Sequence, residues 1–201
     1  MEYKYSNGVI RFPNVELTIL DKLTIDFTAR IKCRYVIVSG YIALLFGRSR
    51  NTEDVDIFIE DKGFQEFSKF YEGILSTPKY YALNADDAAD AYELMHEGSL
   101  RFAEVDTFVP NFEIKFAKDE ADFYALNNAL TVELDGGKRL KISPLELEIA
   151  YKLYLGSEKD FADASHLYIV FKHALDNEKL KEFLRELDIK KNVIKKILGD
   201  L

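Results

Sequence analysis

The sequence is poor in the residues that build sulfur-based or imidazole-based sites. Its 201 residues include one cysteine, three histidines and no tryptophan. A single cysteine, Cys33, excludes an intrachain disulfide and disfavours a zinc site built on thiolates. We interpret it as a small buried apolar residue. The histidines lack the spacing of metal ligands, and no role is assigned to His96, His166 or His173.

A surplus of positive charge and long apolar runs are also missing. Lysine and arginine number 27 against 35 aspartates and glutamates, so the net charge is −8. This balance argues against a sequence-specific DNA-binding protein, although it allows an enzyme that touches one end of an RNA. No segment is long and apolar enough to span a bilayer, and the first twelve residues lack the apolar run of a signal peptide. We therefore expect a cytoplasmic protein with no membrane partner.

What the sequence does contain is enough apolar residues for a core, arranged in helical and strand patterns. Hydrophobic residues make up 48% and charged residues 31%, as in ordinary globular proteins. Apolar residues three and four positions apart predict helices, and short β-branched runs bounded by turn residues predict strands. The elements predicted in the first part are a helix from Leu20 to Ile31, a strand Tyr35–Val38, a short helix Tyr41–Phe46, a strand Asp54–Glu60 and a helix Gly63–Tyr71.

The middle of the chain is less regular, and its last third is helical. Ser143 and Ser157 each precede a helical pattern and carry an acidic residue three positions on, so both are predicted N-caps. The predicted fold class is α+β: a mixed β-sheet core flanked by helices in residues 1–142, then a helical C-terminal subdomain in residues 143–201. The elements predicted in the middle are a helix Ala85–Glu97, a strand Leu100–Val109 and weaker strands Phe112–Phe116, Ala129–Leu134 and Arg139–Ile142.

An Asp-x-Asp pair at the start of a predicted strand is the clearest candidate for chemistry. Side chains alternate along a strand, so Asp54 and Asp56 project from one face with their Cα atoms about 6.5–7 Å apart. Val55, Ile57 and Ile59 are expected to point the other way, into the core. Two carboxylates on one face repel each other unless a cation lies between them, and carboxylate oxygens suit hard divalent cations. The pair therefore predicts a metal site.

The Ser39-Gly40 turn between the first predicted strand and the short helix is a candidate phosphate site. Backbone N–H groups at the beginning of a helix, next to a residue without a Cβ atom, can receive a phosphate. A phosphate site next to a divalent-metal pair is the minimum requirement for phosphoryl or nucleotidyl transfer.

Two segments resemble signatures of a known superfamily. The first, Ser39-Gly40-x-x-Ala43 followed by Arg50-x-Thr52-x-Asp54-Val55-Asp56, resembles the nucleotidyltransferase superfamily of DNA polymerase β. It is most similar to the AbiEii-type and minimal nucleotidyltransferases of bacteria and archaea. The second, Ser143-Pro144 with the later Lys152 and Lys159-Asp160-x-x-Asp163, is similar to the AbiEii-type signature of a lysine in one helix and an acidic motif opening the next.

This resemblance implies a third carboxylate on a neighbouring strand, and Asp106 is the position that resembles it. Glu104, on the same face of that predicted strand, is the runner-up. The implied metal ligands are therefore Asp54, Asp56 and Asp106, and the implied cofactor is Mg²⁺ or Mn²⁺. In the implied two-metal mechanism one ion holds the triphosphate and the other lowers the pKa of the attacking hydroxyl, with Asp106 helping to activate the acceptor.

The resemblance also implies nucleotide contacts and an activity. The expected nucleotide-binding residues are Ser39, Gly40, Arg50 and Thr52. The implied catalytic residues are the three metal ligands together with Lys152 and Asp163 of the helical part. The implied activity is transfer of a nucleoside monophosphate from an NTP to a tRNA or other RNA end, or to a protein hydroxyl. A toxin role with an antitoxin partner is implied as well.

Other interpretations of the same residues remain open. The Asp-x-Asp pair can be a solvated strand face, and nucleotide-sugar glycosyltransferases use the same motif. Asp106 can be an exposed strand residue, Arg48 and Arg50 simple surface charges, and Lys152 a lysine at the edge of the core. An alternative function is a catalytically inactive relative that binds nucleotide or a protein partner.

Overall fold

The computed structural model describes residues 3–12, 16–50, 52 and 54–200. In this part of the chain, nine strands form one mixed sheet with helices packed around it, which confirms the predicted α+β class. The strands are β1 (Lys4–Ser6), β2 (Val9–Arg11), β3 (Tyr35–Val38), β4 (Asp54–Ile59), β5 (Tyr80–Ala82), β6 (Leu100–Glu104), β7 (Asn111–Phe116), β8 (Leu130–Leu134) and β9 (Lys138–Ile142). The helices are α1 (Ile19–Thr28), α2 (Gly40–Leu45), α3 (Phe64–Leu75), α4 (Ala88–Glu97), α5 (Glu120–Asn127), α6 (Leu145–Leu155), α7 (Glu158–Phe171), α8 (Asn177–Glu186) and α9 (Lys191–Ile197).

Strand β4 lies near the middle of the sheet, whose order is β1-β2-β8-β9-β3-β4-β7-β6-β5. It pairs antiparallel with β3 and parallel with β7. The alternation predicted for β4 is confirmed: Val55, Ile57 and Ile59 are at most 2% exposed, whereas Asp54 and Asp56 are half-buried on the opposite face. This alternation holds β4 in register, because a slip by one residue would turn both carboxylates into the core.

Strand β6 is shorter than its predicted range. It ends at Glu104, where the N–H of Thr107 donates to the Glu104 carbonyl and closes a turn. Asp106 lies in that turn with a positive φ of 66°, a conformation that aspartate tolerates better than most residues. The prediction that Asp106 belongs to a strand is therefore wrong. The strands β1, β2 and β5 and the helix α5, which were not predicted, are all short elements.

The helical C-terminal part begins one residue later than predicted. Pro144 is the N-cap residue of α6 and makes no side-chain cap, so the predicted capping role of Ser143 is wrong. The Ser157 cap is confirmed, because its hydroxyl accepts from the Asp160 N–H at 3.2 Å. One buried apolar cluster includes residues on both sides of residue 142, and the division of the chain at that point stays a prediction. No helix in the described ranges is long and apolar enough to cross a membrane.

Candidate active site

The Asp-x-Asp pair lies between two neighbouring strands that each contribute to the site. The strand register places Asp56 opposite Val38 of β3 on one side and opposite Glu113 of β7 on the other. Residues opposite each other in a sheet lie on the same face. Asp54, Asp56 and Glu113 therefore share one face of the sheet.

The ammonium of Lys115 lies between the carboxylates of β4 and β7. Its Nζ atom is 3.0 Å from Oδ1 of Asp56 and 3.4 Å from Oε1 of Glu113. Burial raises the pKa of Asp56, and the charges of Asp54 and Glu113 act in the same direction, while Lys115 lowers it. Burial opposes ionisation of Glu113, but a 2.6 Å hydrogen bond from Ser99 and the Lys115 charge together lower its pKa. This face thus carries clustered carboxylates, with Lys115 between Asp56 and Glu113 and with Arg101 3.5 Å from Glu113. The predicted cation between Asp54 and Asp56 stays a prediction.

Asp106 does not lie beside this pair. It is exposed in the turn after β6, and β7 separates β6 from β4. The runner-up Glu104 lies at the end of β6, opposite Tyr80 of β5. Its Oε1 atom is 3.6 Å from Nζ of Lys79. Glu113 is the carboxylate on the neighbouring strand. Its position in the predicted strand Phe112–Phe116, flanked by two apolar residues, was the signal that could have identified it.

Carboxylates are chemically suited to bind a divalent cation, but these side chains do not converge into a ready metal site. Within the described residues, no three carboxylate, imidazole or thiol side chains form a group that could hold a metal ion. The ammonium of Lys115 lies between Asp56 and Glu113 and forms an ion pair with each, so both carboxylates already have a cationic partner. A cation that bound here would have to displace the ammonium.

The Ser39-Gly40 turn is held from the helical part of the chain. Ser39 has a positive φ of 66°, which is uncommon for a residue with a side chain. Its N–H donates to Oε2 of Glu148 at 3.2 Å, and its hydroxyl accepts from Lys152 at 3.4 Å. The N–H of Ser39, predicted to be free for phosphate, therefore has a carboxylate partner.

Gly40 has a further role beside the predicted phosphate contact, which stays a prediction. A Cβ atom on Gly40 would lie 2.7 Å from the guanidinium of Arg50, closer than any real contact. The side chain of Arg50 is only 8% exposed and pairs with Asp163. The missing Cβ atom thus lets Arg50 lie directly against the turn.

Asp163 is the centre of a buried ion cluster that joins the turn to α6 and α7. Its carboxylate is fully buried and pairs with Arg48, Arg50 and Lys152, the last at 3.4 Å. Lys152 also contacts Asp160 at 3.2 Å. Three cations thus face two carboxylates, and Nε of Arg50 is buried with no hydrogen-bond partner among the described residues. We call these five residues the Asp163 cluster.

Two further residues border the carboxylate pair and the turn. The hydroxyl of Thr52, a predicted nucleotide ligand, donates to the backbone carbonyl of Asp54 at 3.2 Å. Glu148 on α6 was not predicted, and it is 4% exposed. Burial raises the pKa of Glu148 to about 7, although the nearby Lys152 lowers it.

Replacing Gly40 by alanine tests the contact between the turn and Arg50. We expect Gly40→Ala to lower the free energy of unfolding by about 1–3 kcal/mol, because the new methyl group displaces the guanidinium from Asp163. Gly73→Ala is the control, since the nearest atom to its Cβ position is a carbonyl oxygen at 3.8 Å. In the helix α3 this change should be neutral or stabilise by about 0.5–1 kcal/mol. Equal urea midpoints for both variants would contradict the contact.

Comparisons with known proteins concern the fold. No protein-family model and no curated protein sequence matches this chain. Its structure is similar to that of an antigenic nucleotidyltransferase-like protein from Paracoccidioides brasiliensis, with a TM-score of 0.51 and 15% identity over 88% of each chain. The antibiotic-resistance factor ANT(2'')-Ia aligns with a TM-score of 0.47 and 13% identity over 88% of this chain and 97% of its own. The closer resemblance to AbiEii-type proteins stays a prediction. The α+β fold of this chain is thus similar to that of a nucleotidyltransferase-like protein.

Proposed function

We propose that this protein is a Mg²⁺-dependent nucleotidyltransferase that moves a nucleoside monophosphate from an NTP to an acceptor hydroxyl. The observation that carries the proposal is the register of β3 and β4. Val38 lies opposite Asp56, so the Ser39-Gly40 turn that follows Val38 is adjacent to the Asp-x-Asp pair. A turn bordered by buried cations is thereby adjacent to clustered carboxylates. A phosphate site and a metal site are the two parts that nucleotidyl transfer needs.

In this proposal Asp54 and Asp56 hold the metal, and Glu113 replaces Asp106 as the third carboxylate. These residues would hold Mg²⁺, which would supply positive charge for the triphosphate and lower the pKa of the attacking hydroxyl. Glu113 is suited to the acceptor side, because the Ser99 hydroxyl and Lys115 keep it ionised and oriented.

The Asp163 cluster is the proposed site for the outer phosphates of the NTP. Its cations exceed its carboxylates by one, and the buried Nε of Arg50 is a donor with no partner among the described residues, which a phosphate oxygen would satisfy. Lys152 donates to the Ser39 hydroxyl, so the cluster borders the turn. Asp163 acts by positioning these cations and has no role in bond making.

The acceptor that we propose is an RNA end, such as a tRNA end, or a protein hydroxyl. A toxin role with an antitoxin partner remains part of the proposal through the AbiEii resemblance alone, since a fold hosts many functions. One observation favours an inactive nucleotide-binding relative as the second candidate: Lys115 occupies the position between the carboxylates that a metal would take.

A labelling experiment tests the proposal directly. The protein is incubated with each α-³²P-labelled NTP and Mg²⁺, with total RNA or with a cell extract as the acceptor. We expect label on RNA or protein with at least one NTP, and none when EDTA is present. Failure to transfer label from any NTP to either acceptor pool would contradict the enzyme and leave the inactive relative.

Removing Lys115 separates the two candidate functions. In Lys115→Met, Asp56 and Glu113 lose their shared cation, so we expect a lower melting temperature without metal and a larger stabilisation by Mg²⁺. Lys69→Met is the control, because Lys69 is 70% exposed and its ion pair is with Glu66, away from the carboxylates of β4 and β7. Its Mg²⁺ response should equal that of the unchanged protein.

The change in melting temperature on adding Mg²⁺, measured by thermal shift, distinguishes the enzyme from the inactive relative. A response already present in the unchanged protein, and increased in Lys115→Met, supports the enzyme. A response that appears only after Lys115 is removed supports the inactive relative. If neither protein responds to Mg²⁺, the carboxylates do not bind it and the proposed metal site is wrong.

A further inference from the structure

A small cleft lies beside the Asp-x-Asp pair on the same face of the sheet, under α5 and α6. Its volume is about 60 Å³, enough for several water-sized groups. Phe58, which follows Asp56 by two residues on the same face, forms part of its wall. Ser39 forms another part, so the cleft adjoins both the turn and the carboxylate pair. Its polar lining also includes Asp122, Ser143 and Glu148, together with Tyr151.

Glu148 is the unusual group in this cleft. It is 4% exposed, and only its Oε2 atom has a hydrogen-bond partner, the N–H of Ser39. Its Oε1 atom is buried without a partner among the residues that the structure describes. Leaving a buried acceptor unpaired is unfavourable, so each such atom calls for an explanation. The ammonium of Lys152, one turn along α6, is directed instead to Ser39, Asp160 and Asp163.

The chemistry of the cleft decides what part of a nucleotide it can take. A carboxylate repels phosphate, and the Asp163 cluster on the other side of Ser39 is the place for phosphates. The part of a nucleotide that is joined directly to its phosphates is therefore the first to reach the cleft. The group between base and phosphates is the ribose, whose hydroxyls are hydrogen-bond donors of the right size.

We infer that Glu148 accepts a hydrogen bond from a ribose hydroxyl of the bound nucleotide and thereby selects ribonucleotides over deoxyribonucleotides. The inference rests on the proposed function, because the nucleotide's phosphates must lie at the Ser39-Gly40 turn for its sugar to reach the cleft. Ser39 links the two sites, since Glu148 holds its N–H while Lys152 holds its hydroxyl. A site built to pair with a substrate hydroxyl rejects the analogue that lacks it, since the buried partner is left unpaired.

The test measures nucleotide binding, so that it stays separate from catalysis. Dissociation constants are measured by calorimetry in Mg²⁺ for the four NTPs and for their 2′-deoxy and 3′-deoxy forms. In the unchanged protein we expect one of the two deoxy series to bind about 10- to 100-fold more weakly than the ribonucleotides. Glu148→Ala should weaken ribonucleotide binding by a similar factor and leave the weaker deoxy series unchanged, so the discrimination is lost.

Two further variants keep the test interpretable. Glu148→Gln preserves the shape and an acceptor for the Ser39 N–H, so it should fold normally and show intermediate discrimination. Glu146→Ala, on the same helix, removes a carboxylate that contacts the Asp176 N–H at 2.8 Å and lies outside the cleft. Its discrimination should equal that of the unchanged protein.

The possible results distinguish this inference from the proposed function. If ribo and both deoxy forms bind equally well, the ribose inference is overturned while nucleotide binding stands. If Glu148→Ala changes only the KM for the acceptor, the cleft belongs to the acceptor and the inference is again overturned. If none of the nucleotides binds, both the proposed function and the inference fail.

Discussion

Replacing Asp163 by alanine is expected to lower the free energy of unfolding by about 3–5 kcal/mol. The carboxylate of Asp163 is fully buried and pairs with Arg48, Arg50 and Lys152. Without it, Arg48 and Arg50 lose the carboxylate with which they pair, and Lys152, which is only 2% exposed, keeps Asp160. Removing one partner of a buried ion group leaves charge that is neither solvated nor neutralised. The large loss reflects these unpaired cations and is no measure of what the cluster contributes to the native state.

Urea unfolding followed by circular dichroism measures this effect. Glu158→Ala is the matched control, because Glu158 is an exposed carboxylate in the first turn of the same helix. Its removal should cost no more than about 1 kcal/mol through the helix dipole. Asp163→Asn, which keeps the size and loses the charge, should resemble Asp163→Ala. A loss in Asp163→Ala no larger than that in Glu158→Ala would show that solvent reaches these cations and that the cluster is not buried in solution.

Replacing Asp56 by asparagine is expected to reduce nucleotidyl transfer by about 10³-fold or more, on the scale of losing one essential electrostatic group. An amide carries no charge with which to hold a divalent cation beside Asp54. The fold should be retained, because burial and the neighbouring carboxylates already disfavour the charged form and raise the pKa of Asp56. Activity should therefore be lost without a matching loss of melting temperature.

Asp106→Asn is the matched control for Asp56→Asn and also tests the choice of third carboxylate. Asp106 is exposed, and asparagine tolerates its positive φ of 66° as readily as aspartate does. Asp106→Asn should transfer label at the normal rate, whereas Glu113→Gln should be impaired. The assay is the labelled-NTP transfer described above. Full activity in Glu113→Gln together with loss in Asp106→Asn would restore the assignment made from the sequence.

Local patterns in the sequence were sufficient for the elements that depend on near neighbours. Alternation along β4 determined which side of the sheet Asp54 and Asp56 occupy, and the Ser157 cap followed from residues three positions apart. Both depend on geometry that repeats every two to four residues, so a short window of sequence contains the cause. The Ser39-Gly40 turn after β3 was predictable for the same reason.

The choice between Asp106 and Glu113 depended on which strand lies next to β4. Asp106 was assigned to a strand that ends two residues before it, at Glu104. The strand next to β4 on the side away from β3 is β7, which begins 57 residues after Asp54. Nothing near Asp54 in the sequence specifies that pairing. Strand order results from how the whole sheet packs, so both candidates were compatible with the local pattern.

Sequence alone determined the carboxylate pair on β4, because alternation is a property of the strand itself. Only the tertiary structure decided that Asp56 and Glu113 share the ammonium of Lys115. It also decided that Arg50 lies against Gly40 and that Glu148 accepts from the N–H of Ser39. The last contact joins residues 109 positions apart. Such partners are selected by packing and by the cost of leaving a buried polar group unpaired, and both come into being only when distant segments are brought together.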